Sequence, residues 1–449
     1  MKTMHILPAF LMLAPPGSCE PTGGGTGGAG GSGGTSSGAT FYADPVNGST
    51  SGDGSSARPW RTIQEVVSAG HLGTRVRAGD RILLRTGYHG ELTITGGSYG
   101  VPITIAADSG HTPRLRRVQI GGANGFLIRG LSISPAHAPT YAKTTLVNVQ
   151  ASSSNVTIEN CQLFSVANAS TWTADDWINL ASSGAQVSGT RVTLRGNTVR
   201  NVRFGISVDG DNALIDKNTV DGFSADGLRG LGDFGTFQYN TVKNCYVDGD
   251  LDSNHDDGFQ SWSVGASGVG TGEVRGVVLR GNTFINTENP SQPLRASMQA
   301  IGCFDGFFVD WVVENNVVVT NHWHGISLYG VRNSRIVNNT VIDNDSTSPG
   351  PPWIMVNAHK DGTASSNVVV RNNLATDYSI AGTNITQDHN VELTTLTSYF
   401  VNPATFDLHL RSGSPAINAG SAELAPGTDR DGVARPQGGA FDLGAYEFR

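Results

Sequence analysis

The stretch from Asp250 to Trp262 reads DLDSNHDDGFQSW and gathers more acid–base chemistry than any other part of the chain. Asp250, Asp252, Asn254, His255, Asp256 and Asp257 crowd one loop, ahead of a short alternating segment, Asp257-Gly258-Phe259-Gln260-Ser261-Trp262. Alternation predicts Gln260 and Trp262 on one face and Phe259 and Ser261 on the other. An imidazole near its ordinary pKa of about 6.5 can act as a base at neutral pH. An amide and a broad aromatic ring beside it suit a polar ligand with flat faces, such as a sugar. Asp250 and Asp252, with Asn254, also have the oxygen-rich spacing that Ca²⁺ accepts, although the glycine and distal glutamate of a Ca²⁺ loop are missing.

Such residues need a scaffold, and the sequence repeats one. The units VTIENCQL, VTLRGNTV, ALIDKNTV, FQYNTV, VVLRGNTF, VVENNVVV, RIVNNTVI and VVVRNNLA align Asn160, Asn197, Asn218, Asn240, Asn282, Asn316, Asn339 and Asn373. The shortest spacings, 21 to 23 residues, predict a parallel solenoid with one coil per repeat. An Asn at the same corner of each coil can bond the next and satisfy a buried turn. A second column opens strands at Gly205, Gly227, Gly258 and Gly325; SMQAI (297–301), WIMVN (353–357) and WINLA (177–181) are assigned to the same slot. Insertions between some ladder Asn residues and the following strand fall at one corner, which predicts a groove on that face.

Stacking these strands predicts one face carrying Asp226, Arg229, Asp257, Gln260, Gln299, His324 and Tyr329, flanked by the His255 loop. Trp177, Trp262, Trp323 and Trp353 are expected along it. The expected catalytic group is His255, His324, Arg229, Asp257 and Tyr329. Asp226, Gln260, Gln299, Trp262, Trp323 and Asn254 are expected to hold substrate, and Asp250 and Asp252 are candidate metal ligands.

The chain resembles the right-handed parallel β-helix proteins of the pectate-lyase-like group. The likeness runs from Phe41 to Arg449. It rests on the Asn repeat, on Pro59-Trp60-Arg61-Thr62-Ile63, and on the end segments LHLRSGSPAINAG (408–420) and DLGAYE (442–447). It implies an all-β, single right-handed solenoid with a short N-terminal capping helix, and an exported polysaccharide-active enzyme, most often a lyase. β-Elimination then assigns Arg229, Gln260 and Gln299 to the uronate carboxylate, His255 or His324 to the C5 proton, and Tyr329 to the leaving C4 oxygen. Alginate is the first substrate expected, because the Arg/Lys pattern of pectate lyases is missing. Hydrolysis through Asp226 and Asp257, C5-epimerisation, and plain carbohydrate binding are the alternatives.

Composition fits this picture. Glycine is abundant at 59 residues, and a net charge of −8 makes nucleic acid an unpromising partner. Residues 1–19 read as a signal peptide, with Cys19 open to lipidation, and 20–40 as a Gly/Ser/Thr-rich linker. The expectation is a secreted, periplasmic or outer-surface monomer without a spanning segment, acting on an acidic polysaccharide. Cys161, Cys245 and Cys303 are expected as buried thiols rather than a disulfide framework.

Overall fold

The computed structural model describes residues 38–247, 249, 251–252, 254–343, 345 and 347–449; the expected signal peptide and Cys19 lie outside them. Gly38–Arg449 forms one unit. Three long parallel sheets of 15, 11 and 12 strands run its length. Each strand pairs with its counterpart one coil later, so the architecture is a three-faced parallel β-helix. No helix among the described residues is long and apolar enough to cross a membrane.

The eleven-stranded sheet carries the candidate site. Its strands are β1 (Leu92–Thr95), β2 (Val118–Gly121), β3 (Thr145–Val149), β4 (Ser183–Val187), β5 (Ile206–Val208), β6 (Asp226–Gly230), β7 (Asp257–Trp262), β8 (Gln299–Asp305), β9 (His324–Tyr329), β10 (Trp353–Asn357) and β11 (Asp377–Ile380). Their inward positions stack into columns. Ile206, Leu228, Phe259, Ile301, Ile326 and Ile354 pair in succession, and all are buried. Burial of each such side chain contributes about 1.5–3 kcal/mol, which fixes strand register because a one-residue slip would turn the column out to water.

The Asn ladder is present. The Asn197 side-chain amide donates to Asn218 Oδ1 at 2.9 Å, and the chain of bonds continues through Asn240, Asn282, Asn316, Asn339 and Asn373 to Asn390. Asn160 is not its first rung. The pairing of Leu163 with Val199 puts Cys161 in that slot, where its backbone N–H donates to Asn197 Oδ1 at 2.9 Å. Asn160 instead takes the left-handed turn (φ 53°) that precedes each rung, a conformation Asn tolerates. Among the described residues, Cys161, Cys245 and Cys303 are buried and form no disulfide.

A capping helix, α1 (Ile63–Ser68), buries Ile63 and Val66, and the Thr62 side chain accepts the Glu65 backbone N–H at its start. The segment WINLA is no strand. Thr173 and Asp176 form a reciprocal capping box that starts a second helix, α2 (Ala174–Asn179), and the coil's strand is β4. Asp176 is therefore a cap. Trp177 is buried against Trp172 and Tyr246 and lies off the groove.

Candidate active site

Registration brings Asp226, Asp257 and Gln299 into one column across β6, β7 and β8. The adjacent column is Ser207, Arg229, Gln260, Gly302, Ser327 and Met355. Gln299 thus stands beside Asp257, whereas counting SMQAI with Ser297 in the slot of Gly258 puts it beside Gln260. The insertion before β8 hides its register, and the slot filled elsewhere by glycine holds Ala300. Glycine fills that slot in neighbouring coils because strands approach closely there: a Cβ on Gly205 would lie 2.1 Å from the Gly227 carbonyl oxygen.

Arg229 is held in place from two sides. Its Nε and Nη2 both close on Asp226 Oδ2, and its guanidinium lies over the Phe204 ring at 4.1 Å and the Trp262 ring at 5.2 Å. The Asp226 carboxylate also accepts the Asp257 backbone N–H at 3.2 Å and the Asn254 amide at 3.4 Å, both on Oδ1. Asp226 is 1 % exposed and Asp257 0 %. Burial pushes both carboxyls up, and for Asp257 the nearby Asp226 and Asp256 charges push further in the same direction. Asp257 Oδ2 accepts the Gln260 amide at 3.0 Å. As they stand, Asp226 positions Arg229 and Asp257 positions Gln260.

His324 departs from the expected base. Trp353 Nε1 donates toward its Nδ1 at 3.3 Å, and Ser327 Oγ sits 2.9 Å from the same nitrogen. The same indole N–H lies 3.2 Å from Ser327 Oγ, so Trp353 and Ser327 together hold the ring at its Nδ1 edge. Burial lowers the imidazole pKa to about 4, so the ring is neutral at neutral pH. Phe304 and Trp353 pack against it, at centroid distances of 4.7 and 5.6 Å.

His255 is exposed on the loop before β7. It lines a cavity of about 330 Å³ with Gln260, Trp262, Gly302, Phe304 and Asp305. Gly302 leaves room there: a Cβ would come within 2.3 Å of Asp257 Oδ1 and 2.8 Å of the Phe304 ring. Tyr329 meets Phe304 edge to face at 5.2 Å, one coil on. Trp323, 46 % exposed, stacks on Trp353 at 6.3 Å. Phe304, Asp305 and the Lys360 ammonium that bonds Asp305 at 2.6 Å were not foreseen. The period-two alternation of β8 would have pointed to Phe304 had the register been known.

Of the two candidate metal ligands, Asp252 lies within the described residues. Asp252 is nearly buried in an ion pair with Arg203 at 2.8 Å, so its charge is already matched by a guanidinium. Asp250 lies outside the described residues. Among the described residues, no three His, Cys, Asp or Glu side chains converge as a metal would require.

A family model described as "Right handed beta helix region" matches residues 183–351. No curated protein matches the chain in sequence. Among solved structures, pectate lyase Pel9A superposes with a TM-score of 0.51 at 18 % identity, covering 93 % of this chain and 98 % of that one. The A-module of the Azotobacter vinelandii mannuronan C-5 epimerase AlgE6 gives 0.43 at 13 % identity, covering 74 % and 94 %. A surface adhesin of Streptococcus pneumoniae, PfbA, gives 0.38 at 10 % identity, covering 73 % and 87 %. With its sheets registered coil on coil along its described length, the chain has the right-handed parallel β-helix fold.

Proposed function

We propose that the protein is an exported polysaccharide lyase that cleaves a uronate-containing polymer by β-elimination, with alginate the first substrate to try. One observation carries the reading: a guanidinium fixed by Asp226 and two aromatic rings stands beside Gln260, whose cavity is lined by the exposed His255. Elimination needs a uronate carboxylate held by hydrogen-bond donors, so that charge developing toward it on loss of the C5 proton is stabilised. Arg229 and Gln260 supply donors of that kind. His255 is the base of the proposal and takes the C5 proton. As the C4–O bond breaks, Tyr329 gives its phenolic proton to the departing oxygen. His324 and Trp323 hold neighbouring sugar rings.

The hydrolase alternative asks for two carboxyls that reach the sugar. Asp226 and Asp257 are both buried and engaged, which weighs against it. The test is incubation with purified polymannuronate, polyguluronate, glucuronan and polygalacturonate while following ultraviolet absorbance of the C4–C5 double bond and new reducing ends. Both signals on at least one polymer support elimination. Reducing ends alone mean hydrolysis, and neither signal on any polymer leaves C5-epimerisation or a binding module.

A further inference from the structure

A larger cavity, about 670 Å³, lies outside the candidate active site, between the α2 loop and the insertion that carries Gln292 and Leu294. That size is within the range of small-molecule sites. One wall is aromatic: Trp172 meets Trp177 edge to face at 5.0 Å, and Trp177 stacks on Tyr246 at 4.7 Å. The floor comes from two successive strands and holds Arg200, Asn201, Asp221 and Gly222. Gly222 keeps the floor open at φ 79°; a Cβ there would sit 3.2 Å from Asn201 Oδ1 and 3.4 Å from the Tyr246 ring.

Arg200 and Asp221 bring one charge of each sign to this cavity, but they do not pair with each other. Asp221 is already engaged: it accepts the Asn244 amide at 2.6 Å and faces the Lys243 ammonium at 3.7 Å. Lys243 in turn bonds Glu288 at 2.7 Å. Arg200 lies over the Phe164 ring at 5.0 Å, and its Nε is buried without a hydrogen-bond partner among the described residues. Arg200 is part-exposed, lines the cavity and has no hydrogen-bond acceptor among the described residues, so an acceptor supplied there would be favoured. An aromatic wall, several amide and hydroxyl groups, and one guanidinium without an acceptor match a sugar ring that bears a carboxylate.

We propose that this cavity is a second saccharide site, selective for a uronosyl unit whose carboxylate meets Arg200 and whose ring lies against Trp172 and Tyr246. It would tether the acidic polymer away from the groove. The inference does not depend on the elimination chemistry.

The probe is methyl glucuronoside, which has no leaving group at C4 and cannot be eliminated, with methyl glucoside as its neutral twin. Calorimetric titration uses Arg229→Gln protein, to silence the groove, after thermal denaturation shows it folded. Saturable binding of the glucuronoside is expected there, with about tenfold or greater weakening when Arg200→Gln is added and for the neutral twin. Trp172→Ala, made with Arg229 intact, should weaken the same event. The proposal is overturned by no saturable binding in Arg229→Gln protein, by indifference to Arg200→Gln or Trp172→Ala, or by equal affinity for the neutral sugar. A failed lyase assay would leave these results unchanged.

Discussion

Asp226 and Arg229 lie three residues apart on one strand and form a closed pair, the buried carboxylate gripping Nε and Nη2 of the guanidinium. The strand's period of two would leave residues three apart on opposite faces. The departure from strict alternation at the start of β6 brings both to one side, where Phe204 and Trp262 complete the cradle.

Lysine at position 229 keeps the charge but loses the fork and the flat stacking surface. Arg229→Lys should lower kcat/KM by about 100-fold or more, with a stability loss below about 1 kcal/mol. Asp226→Ala removes the buried partner and should cost about 3 kcal/mol in denaturant unfolding. A near-native rate for Arg229→Lys would show that the fork is dispensable.

Asp257 holds its proton to higher pH in the folded chain than in the unfolded one, because it is buried beside Asp226 and Asp256. Its contribution to stability is full below the ordinary carboxylate range and is lost as pH rises through the raised folded value. Asp257→Asn imitates the protonated form. Chemical denaturation at several pH values should show the variant gaining on the native protein as pH rises. An unchanging difference at every pH would contradict a proton held by Asp257.

His324 has the opposite sign. Its folded pKa, about 4, lies below the ordinary 6.5. The stability it contributes is full above 6.5 and falls away as pH drops from there through 4. An NMR titration of the ring should find no protonation between pH 7 and about 5. His324→Gln keeps a side-chain donor and should retain at least about a tenth of the rate, whereas His255→Ala should lose about 100-fold or more. Equal losses in the two variants would return His324 to the base role.

Trp323 is the exposed ring of the groove. Trp323→Ala should raise KM about three- to tenfold and leave kcat and the unfolding midpoint near native, because a half-exposed ring stacks on a sugar but supports little core. Steady-state kinetics on graded oligosaccharides separates the two parameters.

Much of the solenoid could be read from the chain because its determinants are local and repeated. Ladder Asn residues, apolar triplets and strand glycines recur at a spacing that only a coil satisfies. The errors fall where an insertion interrupts that spacing. Gln299 was placed three positions off because β8 follows a long loop and Ala300 fills the glycine slot. WINLA matched a strand by its apolar residues, while Thr173 and Asp176 were already marking a helix start. At the site, residue types gave the neighbourhood but not depth. Whether an Asp on a groove strand faces solvent depends on what covers it, and here Arg229 closes on Asp226 and Gln260 on Asp257.

The mass of the products tests the central claim most directly. Digestion of polymannuronate, or of whichever uronate polymer is cleaved, should yield oligosaccharides with non-reducing ends one water lighter than a hydrolysate, and His255→Ala should abolish them. Products at the full hydrolytic mass, or an intact polymer with inverted C5 centres, would contradict elimination in this groove.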